Sequence, residues 1–330
     1  MEAVRIGILG AARIVPQALI KPARQVAEVT VAGVAARDKA RAQAFASKHH
    51  IPQVFASYDE LLADPTINAV YIPLPNGLHA VWTLRALAAG KHILCEKPFA
   101  ANAAEAEQME QAAQKSGLVL MEAFHYRYHP LAARMKEIVT GGELGAIRRI
   151  EAALCFPLLN RHDIRFNLAL AGGATMDAGA YTINILRFLA GTEPEVSQAT
   201  AILSSPGVDR RMDAELLFPD GITGHITASL LSSTLLRISA HVTGEKGEMR
   251  VLNFIAPQVY HRLSVRTEAG KRTEHIAGEA TYTYQLRAFA QAITQGTPVI
   301  TNAADAVANM QVIDAVYRQA GLQPRGAGAE

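Results

Sequence analysis

His92-Ile93-Leu94-Cys95-Glu96-Lys97-Pro98-Phe99 runs an apolar stretch directly into an acid, a base and a proline. The pattern predicts a buried strand that ends by presenting Glu96 and Lys97 at its carboxyl edge, where open α/β sheets place their ligands. Pro98 has a fixed φ and no N–H, so it stops the ladder and holds the residue before it extended. Taken alone, Glu96 and Lys97 read better as solvated loop charges, the usual fate of such a pair. The segments on either side decide between the two.

Upstream, Val4-Arg5-Ile6-Gly7-Ile8-Leu9-Gly10 is a short apolar run ending at a glycine turn, and residues 14 to 26 read as a helix disturbed by Pro16 and Pro22. This is strand, turn, helix. Against G-x-G-x-x-G the first glycine is Gly10, but the second falls on Ala12 and the third on Val15, so the match is poor and alone is weak evidence. The turn Gly10, Ala11, Ala12, Arg13 and Ile14 is nonetheless placed to bring backbone to a pyrophosphate at a helix N-terminus. The next strand, Val29 to Ala35, ends in Ala36-Arg37-Asp38, where the ribose-reading residue of such folds sits. Arginine there pairs with a 2′-phosphate, and an acid accepts from a free 2′-OH. Arg37 therefore favours NADP. Asp38 keeps NAD open unless it serves as N-cap of the helix 38–48.

A short helix at 58–63 precedes a strand at 69–72, whose Pro73-Leu74-Pro75-Asn76 exit is not helical. The helix 78–89 closes at Gly90. After Pro98, Asn102 with Glu105 three residues on gives a capping-box start to a helix that reaches Ser116. Residues 118 to 123 return as a sixth strand. The alternation of strand and helix predicts an α/β domain of Rossmann type, a doubly wound parallel sheet over residues 1–123.

Next comes the polar aromatic cluster His125-Tyr126-Arg127-Tyr128-His129-Pro130. From Ile147 the pattern changes to strands separated by turns: 147–156, 196–203, 213–218, 223–232, 235–243 and 249–252, with Pro219-Asp220-Gly221 and Gly244-Glu245-Lys246-Gly247 between neighbours. Such turns between β-branched runs signal hairpins. Residues 124–330 are therefore expected to form an α+β domain around a large, mostly antiparallel open sheet. Two helices, about 283–294 and 303–320, precede a Gly/Ala/Pro tail expected to be disordered. Within this domain Gly172-Gly173 opens a helix running to Leu189 and capped by Gly191. Asp177, Tyr181 and Asn184 share one face of it at i, i+4 and i+7, opposite a stripe of Ile183, Leu186 and Leu189.

Three hundred and thirty residues, half of them apolar, suit two cores. With 32 basic against 30 acidic side chains and no Lys/Arg run, neither nucleic acid nor an anionic membrane is an expected partner. Cys95 and Cys155 lack paired-ligand spacing and fit a reducing compartment, with Cys95 inert in its strand. No metal site is expected, and His49-His50 suits a helix end instead. The N-terminal run reads as a strand, and no stretch approaches the ~20 apolar residues of a membrane span. A soluble cytoplasmic protein is expected.

Glu96-Lys97-Pro98 after a fifth strand, Val70-Tyr71-Ile72-Pro73-Leu74-Pro75-Asn76, Met121-Glu122-Ala123-Phe124, and Gly172-Gly173 followed by Asp177, Gly179 and Tyr181 together resemble the glucose-fructose oxidoreductase / inositol dehydrogenase (GFO/IDH/MocA) family. The resemblance covers nearly the whole chain. The wording is most similar to the branch of dimeric dihydrodiol dehydrogenases, NADP-dependent xylose dehydrogenases and glucose-fructose oxidoreductase. It implies an NAD(P)-dependent enzyme acting on a sugar, polyol or cyclic diol, dimeric through the second domain's sheet. It also implies that Pro73, Leu74, Pro75 and Asn76 border the cofactor together with His79, Glu96, Lys97 and Arg127, that Arg127 and His129 line the site wall, and that Tyr181 holds the catalytic position.

Free lysine and tyrosine have pKa values near ~10. Placed beside each other and a cationic nicotinamide, both are lowered. Tyr181 is then assigned as the proton-transfer group, Lys97 as its electrostatic tuner and substrate-oxygen donor, and Asp177 as an acceptor from a substrate hydroxyl. Sequence does not settle which of Lys97 and Tyr181 moves the proton. Two other functions share this fold: a non-catalytic dinucleotide sensor and a redox-assisted glycosidase. A sensor has no use for Lys97, Asp177 and Tyr181 together, and Arg37 counts against the NAD-retaining glycosidase.

Overall fold

Pairing of six short apolar strands builds the first half of the molecule. The computed structural model describes residues 3–326. They divide into two compact units, one formed by the residues up to His125 with Ala280–Val307, the other by Tyr126–Glu279 with the residues from Ala308.

In the first unit β1 (Val4–Leu9), β2 (Val29–Ala35), β3 (Gln53–Phe55), β4 (Ala69–Ile72), β5 (His92–Cys95) and β6 (Leu120–Glu122) lie in the order β3-β2-β1-β4-β5-β6, every pair parallel. All four residues of β4 are buried, as expected of a parallel strand covered on both faces. The order reverses at β1, so the carboxyl ends of β1 and β4 flank the switch point at which such sheets bind ligands. The connecting helices are α1 (Lys21–Ala23), α2 (Lys39–His49), α3 (Tyr58–Ala63), α4 (His79–Ala88) and α5 (Ala103–Ser116). Asn102 Oδ1 accepts from Glu105 N at 3.0 Å and Glu105 reaches back to Ala101 N at 3.0 Å, which starts α5.

The second unit opens with α6 (Pro130–Thr140), which the sequence reading passed over, and β7 (Ile147–Cys155), then α7 (Ala180–Ala190). The strands β8 (Glu195–Ser205), β9 (Val208–Leu217), β10 (Thr223–Ser229), β11 (Arg237–Gly244), β12 (Gly247–Leu252), β13 (Arg262–Thr267) and β14 (Gly270–Glu274) join β7 in one eight-stranded sheet. Its order is β14-β13-β12-β11-β7-β10-β9-β8. Only β7 and β10 pair in parallel, because β7 inserts between β10 and β11. Ile150, Ala152 and Leu154 of β7 and Ile226 and Ala228 of β10 are buried where α7 packs on these two strands. The alternate positions, Arg149, Glu151, His225 and Thr227, form the other face.

Ala280–Val307 brings α8 (Thr281–Gln295) and the start of α9 (Ala303–Gln319) back to the first unit. Two hydrogen bonds close that return: Glu122 N donates to Thr301 O at 2.9 Å, and Thr301 Oγ1 donates to Glu122 O at 2.7 Å. The expected disorder of the tail is corrected in its described part, since Arg325 is 2% exposed and ion-paired with Asp209. Residues 327–330 lie outside the described residues.

Candidate active site

β1 stops at Leu9 because Gly10 turns the chain at φ +114°, a region side chains rarely adopt. A Cβ on Gly10 would lie 3.0 Å from Leu74 Cδ2, so the missing side chain also admits the loop after β4. Ala11 is buried, Ala12 and Ile14 are half-buried and Arg13 is exposed. The expected α-helix beyond them begins as a π turn, Pro16–Ile20. At the tip of β2, Arg37 is exposed. Asp38 accepts from Ala40 N at 2.9 Å and Arg41 N at 3.2 Å, so its carboxylate is engaged as the N-cap of α2. Arg41, missed in the sequence, donates from Nη2 to Ala11 O at 2.8 Å and brings a second guanidinium to this end. The available signal was an arginine in the first turn of α2, four places after Arg37.

The chain leaves β4 through Pro73, Leu74 and Pro75 into a 3-10 turn, Asn76–Leu78. Pro73 is buried, and Leu74, Pro75 and Asn76 are half-buried. His79 is fully buried, with Nδ1 2.8 Å from Pro98 O and Nε2 2.8 Å from Leu74 O. Its ring thus ties the β4 exit to the β5 exit. Burial pushes its pKa down, against the pull of the two carbonyls.

β5 delivers Glu96 and Lys97, both half-buried, at its carboxyl end, and the Lys97–Pro98 peptide is cis. Tyr71 OH donates to Glu96 Oε1 at 2.5 Å. Beyond β6, His125 has Nδ1 2.8 Å from Thr281 Oγ1, and its ring lies 4.0 Å from that of Tyr282 between centroids. Burial pushes His125 down to about 3, and the Lys97 ammonium acts in the same direction. Burial, with Glu96 nearby, pushes the Tyr282 phenol up. Neutral rings therefore stand near the Glu96 and Lys97 charges. Thr281 and Tyr282 escaped the sequence reading because nothing local links them to a residue 156 positions earlier.

In the second unit Asp177 lies in a π turn, Thr175–Gly179, that runs into α7. Such turns often mark functional sites. Arg165 Nε donates to Asp177 Oδ2 at 2.7 Å. Tyr181 is 7% exposed and Asn184 is 0%, so both polar side chains are packed within the second unit. Tyr126 OH donates to Asn184 Oδ1 at 2.6 Å, and the Tyr126 and Tyr181 rings lie 6.0 Å apart. Arg127 donates to the same oxygen at 3.3 Å and stacks 4.1 Å over Phe188. His129 caps α6 by accepting from Leu131 N at 3.1 Å, and burial pushes it down to about 4. Among the described residues, no group of three His, Cys, Asp or Glu side chains gathers for a metal, and no helix is long and apolar enough to cross a membrane.

Residues 4–124 match the family described as "Oxidoreductase family, NAD-binding Rossmann fold", and residues 132–250 match the GFO/IDH/MocA C-terminal domain. D-xylose 1-dehydrogenase (NADP(+)) 2 of Haloferax volcanii is 37% identical over 315 residues, covering 95% of this chain and 96% of its own length. Trans-1,2-dihydrobenzene-1,2-diol dehydrogenase of Mus musculus is 37% identical over 232 residues, 70% of this chain and 68% of its own. Among solved structures, a 3-ketoreductase from Actinomadura kijaniata in complex with NADP and TDP-benzene aligns with a TM-score of 0.90 at 27% identity, covering 96% of this chain and 98% of that one. Further structures of that reductase carry a lysine-to-alanine or a tyrosine-to-phenylalanine change. The fold and its motifs define a nicotinamide-dependent oxidoreductase. The chain belongs to the GFO/IDH/MocA family.

Proposed function

We propose that this chain is an NADP-dependent dehydrogenase or reductase acting on the hydroxyl or carbonyl carbon of a sugar, polyol or cyclic diol, with Lys97, Tyr181 and Asp177 as its catalytic residues. One observation carries the reading. β5 ends in Lys97 and the π turn leads from Asp177 to Tyr181, and the lysine and tyrosine changed in the ketoreductase structures stand as far apart in sequence as Lys97 and Tyr181 do.

The residues present fit the cofactor. Gly10 keeps its turn free of a side chain. Exposed Arg37, with Arg41 beside the same turn and Asp38 engaged as a cap, suits a 2′-phosphate better than a free ribose hydroxyl. NAD remains the second cofactor to test. Gly10, Ala11, Ala12, Arg13 and Ile14 would hold the diphosphate, and Pro73, Leu74, Pro75, Asn76, Glu96 and Lys97 the nicotinamide end, with His79 fixing the loops and Arg127 bordering the site. A bound nicotinamide would supply the hydride acceptor for a carbinol carbon, or the hydride donor for a carbonyl.

Tyr181 takes the hydroxyl proton during oxidation and returns it during reduction. Lys97 donates to that same oxygen, and its positive charge favours the tyrosinate. Asp177, oriented by Arg165, accepts from a neighbouring substrate hydroxyl. A dinucleotide sensor or a redox-assisted glycosidase is the rival reading. We further propose a homodimer through the polar face of the eight-stranded sheet, where Arg149, Glu151, His225 and His241 stand, and a reducing, cytoplasmic location consistent with two free buried cysteines. A panel of aldoses, polyols and diols, followed by absorbance of the reduced nicotinamide, tests the activity. Turnover with NADP is expected, and no turnover with either cofactor would favour the sensor.

A further inference from the structure

A helix leaves its first N–H groups without partners, and a neighbouring side chain usually takes one. The segment carrying Asp177 and Tyr181 follows Gly172-Gly173 and has Ala174 at its cap, where no side chain accepts. Its acceptor comes from β9 instead. Thr175 N and Thr175 Oγ1 both donate to Asp209 Oδ2 at 2.7 Å. Asp209 is 0% exposed, and a buried carboxylate needs a cation and hydrogen bonds around it.

Arg325, 2% exposed, provides them from beyond α9. Its Nη2 donates to Asp209 Oδ1 at 2.7 Å, its Nε to Gly172 O at 2.7 Å and its Nη1 to Gly207 O at 2.8 Å. Tyr317 donates to Asp209 Oδ1 at 3.0 Å, and its ring lies 4.0 Å from the guanidinium carbon. Gly173, at φ +141°, has no room for a side chain, since a Cβ would collide with Asp209 Oδ1, Arg325 and Tyr317. One guanidinium thus holds both the backbone before the π turn and the carboxylate that caps it.

We infer that Arg325 is a positioning residue for the reaction: acting through Asp209 and Gly172, it fixes where the Thr175–Gly179 turn begins and hence where Asp177 and Tyr181 stand. The inference rests on the proposed roles of Asp177 and Tyr181. Removing Arg325 leaves Asp209 as an uncompensated buried charge, so the cap loosens at the point from which both side chains are set. Misplacement of a reacting group by about 1 Å can cost ~10²-fold in rate.

The test compares Arg325→Met, Arg325→Lys, Tyr317→Phe and Tyr181→Phe. Rates are read with D-xylose and NADP across pH, or with whichever member of the panel above turns over fastest. NADP affinity is read by fluorescence, and thermal unfolding of each variant is recorded. Without substrate, near-ultraviolet titration of tyrosinate, taken as a difference from the same protein carrying Tyr181→Phe, isolates Tyr181. Arg325→Met is expected to lower kcat by roughly 10- to 100-fold, shift the kcat–pH profile and the Tyr181 titration, and leave NADP affinity within a few-fold. Arg325→Lys, or added guanidinium, is expected to recover part of the loss.

Should Arg325→Met fail to fold, Tyr317→Phe takes its place, with a smaller shift in the same two readouts. A folded Arg325→Met or substitute Tyr317→Phe with the wild-type pH profile and Tyr181 titration, and only a lower melting temperature, would overturn the inference. An inactive Tyr181→Phe beside it would confine the failure to Arg325. A fully active Tyr181→Phe would sink the catalytic reading itself, and this inference with it.

Discussion

Arg165 Nε lies 2.7 Å from Asp177 Oδ2, and Nη1 of the same guanidinium lies 3.1 Å from Asp163 Oδ1. The two carboxylates, Asp177 foremost, raise the pKa of Arg165. The guanidinium therefore fixes the orientation of the Asp177 carboxylate. A charge-assisted hydrogen bond is worth about 1.5–3 kcal/mol. Arg165→Met should accordingly raise KM for the sugar by roughly 10-fold or more at ~1.4 kcal/mol per decade, with a smaller loss in kcat and no change in NADP affinity. Steady-state kinetics with both substrates varied checks this, and an unchanged sugar KM would remove Asp177 from substrate recognition.

The second prediction concerns the 2′-phosphate. Arg37 is exposed while Asp38 caps α2, so Arg37→Ala should weaken NADP binding by roughly 10- to 150-fold and hardly change NAD binding. Titrating both nucleotides against the variant decides it. Equal losses for the two would show that Arg37 does not read the phosphate.

Acid stability should report a third pair of contacts. Hydrogen bonds from Arg134, at 2.7 and 2.9 Å, and from Arg272 hold Glu274 down to about 2 from an ordinary 4.5. A folded-state value below the unfolded one stabilises above pH 4.5 and loses that contribution as pH falls toward about 2. Glu274→Gln should therefore melt below wild type at neutral pH, and the gap should close between pH 4.5 and about 2. A gap independent of pH would mean that the ion pairs contribute nothing.

Much of this molecule was legible locally. The apolar runs ending at Gly10, Arg37, Pro73 and Glu96 each correspond to a strand of one parallel sheet, because buried parallel strands are short and uniformly apolar. Asp38, Asn102 and Gly191 act at helix ends as their residue types suggest. In the second unit, α6 was passed over although Leu131, Ala132, Met135, Ile138 and Val139 have helical spacing and Pro130 suits a first helical position. The alternation of β13 was likewise readable but short.

Other features depend on contacts that no local pattern encodes. Burial of Arg325 rests on Asp209, 116 positions earlier, and Thr281 and Tyr282 reach His125 only because α8 returns to the first unit. The two π turns, Pro16–Ile20 and Thr175–Gly179, stand where the sequence reads as ordinary α-helix. Composition has no signal for them.

Shared work on one proton by Lys97 and Tyr181 is tested most directly by pre-steady-state hydride transfer in Lys97→Met, Tyr181→Phe and the double variant. Each single change should lower the rate by about 10²–10⁴ while NADP affinity stays within a few-fold, and the double variant should be little worse than the poorer single one. Fully multiplicative losses would contradict shared action on one oxygen, and a Tyr181→Phe enzyme with the wild-type rate would contradict the assignment of Tyr181 altogether.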